Sequence, residues 1–220
     1  MGSLATPPFL FNSYRLYRQP AGLTARSLKD LSDQLLKISE TTLWYHLHHA
    51  YVQYRFDGPK FRNDIAVWVR DVIKAESLSE QLSYVDSHLL FDLNSARERM
   101  YATLQDWHRK NGDAAFVQEC DVTKAFVFLQ PQTVVVASGV SSNTLEGFAR
   151  ALRKISPQSV FYHTMEVRLR QKKNTSDFAA WIDNELGLTE LAKDINLINP
   201  FFFTVDQYRE QILQRIHQYV

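Results

Sequence analysis

Cysteine is almost missing from this chain: Cys120 is the only one in 220 residues. That excludes an internal disulfide and any multi-cysteine zinc site, and it points to a reducing, cytoplasmic setting. No run of eighteen apolar residues occurs, so no stretch has the composition of a membrane-spanning helix. Charge of one sign is lacking too. A formal net charge of +1 offers no electrostatic footprint for nucleic acid or an acidic membrane as the main partner. The N-terminus lacks the basic start and long apolar core of a secretory signal. Gly2 with Thr6 fits the loose myristoylation pattern, but nothing basic or palmitoylatable reinforces it. Also absent are a Walker loop, Gly-x-Gly-x-x-Gly, Gly-x-Ser-x-Gly and His-Glu-x-x-His, and no activating motif surrounds Cys120. The expectation is a protein without catalysis and without a cofactor.

What is present describes a folded chain, 45% hydrophobic and 22% charged, long enough for one large domain or two small ones. Aromatics reach 13%. A core packed with rings, which bury much area per residue, accounts for them more simply than an aromatic binding groove.

The two halves of the sequence match at an offset of 117. Between Gly22–His46 and Gly139–His163, eight of 25 positions are identical, among them Gly22/Gly139, Leu28/Leu145, Leu35/Leu152, Ser39/Ser156, Tyr45/Tyr162 and His46/His163. Phe9-x-Phe11 meets Phe126-x-Phe128 at the same offset. Further on, Asp64-x-Ala66-x-Trp68 matches Asp177-x-Ala179-x-Trp181, and Arg97-Glu98 matches Arg209-Glu210. The expected fold is mainly α: a tandem duplication of a multi-helix unit, over 9–108 and 126–220, with 109–125 as linker. Two copies suggest pseudo-twofold packing rather than a solenoid.

Each half reads as helices. Leu28, Leu31, Leu35 and Ile38, like Leu145, Phe148, Leu152 and Ile155, fall on one face at helical spacing. Gly22 and Gly139 suit a turn into those helices, with Thr24 and Ser141 as caps. Ser39 and Ser156 cap a second helix, with Pro157 at its first position. A last helix begins near Asp92 or Thr204, the latter at capping-box spacing from Gln207. The Phe-x-Phe segments and Thr133–Val136 look extended, which allows short strands at the start of each unit.

These blocks carry a resemblance. Tyr45-His46-Leu47-His48, Arg62-Asn63-Asp64-Ile65-Ala66-Val67-Trp68, Val160-Phe161-Tyr162-His163 with Glu166-Val167-Arg168-Leu169-Arg170, Asp177-Phe178-Ala179-Ala180-Trp181, and Asn199-Pro200 leading to Arg209 resemble the DUF5752 family. The likeness runs from about Phe9 to Ile216. The family's name declares an unknown function, so the resemblance implies no activity.

The candidate ligand-binding residues are His46, His49, Asp64, Trp68, His163, Glu166, Arg168, Asp177 and Trp181. His46-x-x-His49 and His163-x-x-Glu166 each place two side chains on one helix face. Facing His and Glu pairs of this kind build carboxylate-bridged metal sites in bundles, with Asp64 and Asp177 as outer partners. The simpler reading is that residues present twice serve the fold twice, as a histidine bonded to an aspartate and covered by a tryptophan. Arg168, Arg170, Lys172 and Lys173 read as a solvated basic strip at a helix end. Arg97 and Arg209 read as clamps on a neighbouring helix, with an anionic ligand as the alternative.

The preferred function is a cytoplasmic module that binds a ligand or a protein. By the same logic the unshared residues (His48, His49, the loop Phe56–Lys60, Glu166, Arg168) are the better candidates for specificity. The alternatives are a metal-dependent hydrolase or oxidase using the His/Glu pairs, and an oligomeric scaffold marked by an exposed apolar face.

Overall fold

The computed structural model describes residues 4–53, 63–84, 92–168 and 174–220, with the side chains of 48–53 and 201 set aside. The loop Phe56–Lys60 and Arg170, Lys172 and Lys173 lie outside the described residues. No helix among the described residues is long and apolar enough to cross a membrane.

The mainly α expectation is corrected first. Two 17-residue strands, β1 (Phe9–Ala25) and β2 (Phe126–Ser142), pair in a two-stranded sheet. Ala5 donates to Asn143 near one end and Cys120 to Arg26 beyond the other, so the strands run antiparallel. Gly22 and Gly139 lie inside these strands rather than at helix entries. Their φ values of 75° and 73° belong to the left-handed region, where a glycine inserts an irregular residue into a strand at little steric cost. The strands therefore continue past Thr24 and Ser141, and the helices that follow are capped by Ser27 and Thr144.

The remaining elements follow local signals. Helix α1 (Leu28–Leu35) buries Leu28, Leu31 and Leu35 completely, and α2 (Glu40–Gln53) starts beside Ser39, whose Oγ accepts the Thr42 N–H. Helix α3 (Asp64–Trp68) is capped by Asn63 and passes into a π turn over Val69–Ile73. Then come α4 (Glu76–Ser83), α5 (Leu93–Asn111) capped by Asp92, and α6 (Asp113–Val117). After β2, α7 (Leu145–Leu152) and α8 (Pro157–Phe161) lead into a π turn over Tyr162–Glu166. Next are α9 (Asp177–Leu186), α10 (Thr189–Leu197) and α11 (Val205–His217), the last opened by the Thr204–Gln207 capping box.

The tandem arrangement is corrected second. The chain divides into two compact units, Met1–Leu16 with Thr133–Val220, and Tyr17–Gln132, so the boundary falls inside both strands. Each unit takes its helices from one half of the sequence and a Phe-x-Phe segment from the other. The physical reason lies in the strands. An extended strand advances about 3.3 Å per residue and cannot double back without a turn. β1 has none, so Phe9 and Phe11 are carried away from the helices that follow them. The antiparallel partner brings Phe126 and Phe128 there instead.

In the unit that holds α7–α11, Phe9 packs edge-on against Phe11, Phe148, Phe178 and Trp181 at 4.7–5.7 Å between ring centres. In the other unit, Phe126 and Phe128 lie 4.9 Å apart, with Trp68 5.8 Å from Phe126. These rings are thus core. Burying one such ring contributes about 2–3 kcal/mol. The segment 109–125 is packed as well. Phe116 is buried, Arg26 pairs with Glu119 at 2.9 Å, and Trp68 Nε1 donates to Lys124 O.

Candidate functional site

Among the described residues each unit contains one buried histidine, and the two are bonded alike. His46, on α2, is 2% exposed. Its Nδ1 lies 3.1 Å from Asp64 Oδ2, and its Nε2 accepts the Leu129 backbone N–H at 2.9 Å. His163, in the π turn after α8, is 3% exposed. Its Nδ1 lies 2.9 Å from Asp177 Oδ2, and its Nε2 accepts the Asn12 N–H at 2.8 Å. An imidazole nitrogen that accepts an N–H carries no proton, so Nδ1 is the protonated nitrogen and donates to the carboxylate.

Local sequence explains how the parts are held. Asn63 and Ser176 cap α3 and α9, which places Asp64 and Asp177 in the first helical turn. Asn63 also donates through Nδ2 to Leu82 O. The strands fix the other side: Ser159 Oγ donates to Asn12 O at 2.6 Å, beside the amide that His163 accepts. Phe126 bridges His46 (4.8 Å) and Trp68 (5.8 Å), while Phe9 bridges His163 (4.9 Å) and Trp181 (5.7 Å). The indoles are tied to the backbone, Trp68 Nε1 to Lys124 O at 2.8 Å and Trp181 Nε1 to Pro7 O at 3.1 Å. His46 thus joins Asp64 and Trp68, and His163 joins Asp177 and Trp181.

This geometry limits the chemistry. A metal ligand or general base must offer a nitrogen lone pair to something other than the fold. Here each ring has one nitrogen donating to a carboxylate and the other accepting a main-chain amide. The described residues contain no group of three or more His, Cys, Asp or Glu arranged to hold a metal. The side chain of His49 lies outside the described residues.

Glu166 and Arg168 are both buried, at 7% exposure. Arg168 is therefore not part of a solvated strip. Its Nη2 reaches Asn196 Oδ1 at 3.5 Å, and the same Asn196 oxygen accepts the Ser176 N–H at 3.1 Å. Burial lowers the Arg168 pKa, and the nearby Tyr208 opposes that shift. Burial pushes the Tyr208 phenol up to about 12. Its hydroxyl has no hydrogen-bond partner among the described residues. Sequence reasoning missed Tyr208 because Ala96 stands at the matching position of the other half. It also missed the accepting role of the histidines toward Asn12 and Leu129, although those two residues are themselves 117 apart.

The recurring arginines act as clamps. Arg97 donates to Leu35 O at the end of α1, and burial lowers its pKa. Arg209 donates to Ile155 O at 3.0 Å and to Arg153 O, just past α7. Both satisfy carbonyls that a helix end leaves open.

The fold defined by these sites is helix-rich, built on a two-stranded sheet, with a histidine in each unit tied to an aspartate and a strand amide. The chain belongs to DUF5752, a family of unknown function whose profile matches residues 6–217. Among solved structures it is similar to OrfY from Thermoproteus tenax, with a TM-score of 0.79 and 23% identity over 98% of this chain and 97% of that one. At that identity the likeness concerns the fold. No protein of curated function matches.

Proposed function

We propose that this chain is a cytoplasmic binding or regulatory module that works without catalysis. One observation carries the reading: both ring nitrogens of His46 and of His163 are engaged by the fold. The residues with the greatest catalytic potential thereby serve stability. Specificity for a ligand or protein partner then rests on residues that the two halves do not share, among them His48, His49, Glu166 and Arg168.

Thermal unfolding after chelator treatment tests this, across divalent metals, phosphates and sugars, for wild type and His46→Ala, each against its own unliganded baseline. A ligand that binds only the folded state stabilises it by about 2.7 kcal/mol at a hundred times its dissociation constant. The expected result is that no divalent metal shifts wild type while sparing His46→Ala. A metal that does so would overturn the reading in favour of a metal-dependent enzyme.

A further inference from the structure

The two strands differ in how their outer edges are guarded. β1 carries Arg15, Arg18 and Pro20, whereas β2 contains no charged residue along all 17 positions. Within β2 the guarding features are Pro131 and the irregular Gly139, where Ser138 Oγ accepts the Val140 N–H. Between them runs Thr133-Val134-Val135-Val136-Ala137-Ser138, rich in β-branched residues and free of charge, proline and glycine. Edge strands are ordinarily protected by one of those features, because an open row of N–H and C=O groups templates pairing with another strand.

The segment is also exposed on both faces. Val134, Val135 and Val136 are 44%, 48% and 38% exposed. Consecutive strand residues point to opposite sides, so neither face of the strand is covered there. The sheet has two strands, which leaves the outer edge of β2 without a strand neighbour among the described residues. β1 across the ladder is held by Tyr14, buried against Phe161 and Tyr162, so at this segment it is β2 that has no packing of its own and gains little from one ladder alone.

We infer that the outer edge of β2 at Thr133–Ser138 pairs antiparallel with the same edge of a second copy of this chain, joining two ribbons into a four-stranded sheet. Charge argues for a second copy. A twofold centred on Val135 sets Val134 opposite Val136 of the second copy and Thr133 opposite Ala137, so no charge meets a like charge. The same operation on the outer edge of β1 would bring Arg15 and Arg18 of both copies together and would meet Pro20. Only the β2 edge is compatible with itself. This inference goes beyond the proposed function and does not depend on whether the histidines bind metal.

The test is sedimentation velocity of the full chain from about 1 µM to about 1 mM, a range that spans the affinities of small interfaces. Wild type should reach twice the 25.6 kDa monomer mass. Val135→Lys should stay monomeric throughout, with the wild-type unfolding midpoint at about 1 µM, where both are monomers, since the side chain is half exposed. Val135→Cys in a Cys120→Ser background should give a disulfide-linked dimer on mild oxidation. A wild type that remains monomeric leaves the edge to another protein's strand and overturns the inference. A Val135→Lys variant that still dimerises places the interface elsewhere and overturns it equally.

Discussion

Around His46 the helix that carries the histidine is regular, Glu40–Gln53, and the π turn falls on the aspartate's helix, at Val69–Ile73. Around His163 the arrangement is reversed: the π turn, Tyr162–Glu166, contains the histidine, and the aspartate's helix runs regularly over Asp177–Leu186. The aspartate helices also end differently, on Lys74 in the left-handed region at φ 65° and on Gly187 at φ 69°. Yet the hydrogen bonds agree within about 0.2 Å at each ring nitrogen. Where the backbone takes its extra residue is therefore free to vary. What the two sites share is a carboxylate, an imidazole and a strand amide in line, because each buried polar atom must find a partner.

The largest effect expected from this comparison comes from the histidines. His46→Ala and His163→Ala should each cost about 3–4 kcal/mol in urea unfolding, since each leaves a cavity, removes the imidazole's hydrogen bond to the aspartate and leaves a strand amide without its acceptor. Equal losses sharpen the equivalence of the sites. A loss under about 1 kcal/mol at either one breaks it.

The next effect separates the two units. The Tyr208 phenol is held up to about 12 in the folded chain, against about 10 when unfolded. Between those values the unfolded chain has released a proton that the folded chain retains. Its contribution is fully present below pH 10 and is lost as pH rises toward 12, by about 2–3 kcal/mol. Tyr208→Phe should flatten that alkaline decline and change stability little at neutral pH, because it removes a hydroxyl with no partner among the described residues. Unfolding curves of both proteins between pH 7 and pH 12 measure it. An unaltered decline would assign the effect to other groups.

Smaller effects follow at the tryptophans and helix ends. Trp68→Phe and Trp181→Phe should each lose about 1–2 kcal/mol, through the missing indole donor and lost volume. Unequal losses would show that Lys124 O and Pro7 O are not equivalent acceptors. Smallest is Lys74→Gly, which should stabilise by about 1 kcal/mol by removing a side chain from left-handed backbone. Gly187→Ala should destabilise by a similar amount. Thermal melts of the pair check the two signs together.

Much of the local structure could be read from residue order. Ser39, Ser156, Asp92 and Thr204 begin helices as expected, and the apolar positions of α1 and α7 line one face. The pairing of His46 with Asp64 and of His163 with Asp177 corresponds to the simpler reading of those recurring residues, but the rings against the histidines are Phe126 and Phe9, which stand between them and Trp68 and Trp181. Arg97 and Arg209 clamp helix ends. Caps and apolar faces depend on contacts within about four residues, which a single sequence displays. Other features were not legible. Arg168 looked solvated in a basic run and is buried beside Tyr208, which lies 40 positions away in sequence. Gly22 and Gly139 looked like helix entries and lie within strands.

The sequence by itself determined where α2, α5, α8 and α11 begin, which faces α1 and α7 bury, and which histidine goes with which aspartate. Only the tertiary structure decided that Phe126 and Phe128 complete the His46 site while Phe9 and Phe11 complete the His163 site. A strand's partner is chosen by long-range pairing and burial, and no local spacing records that choice.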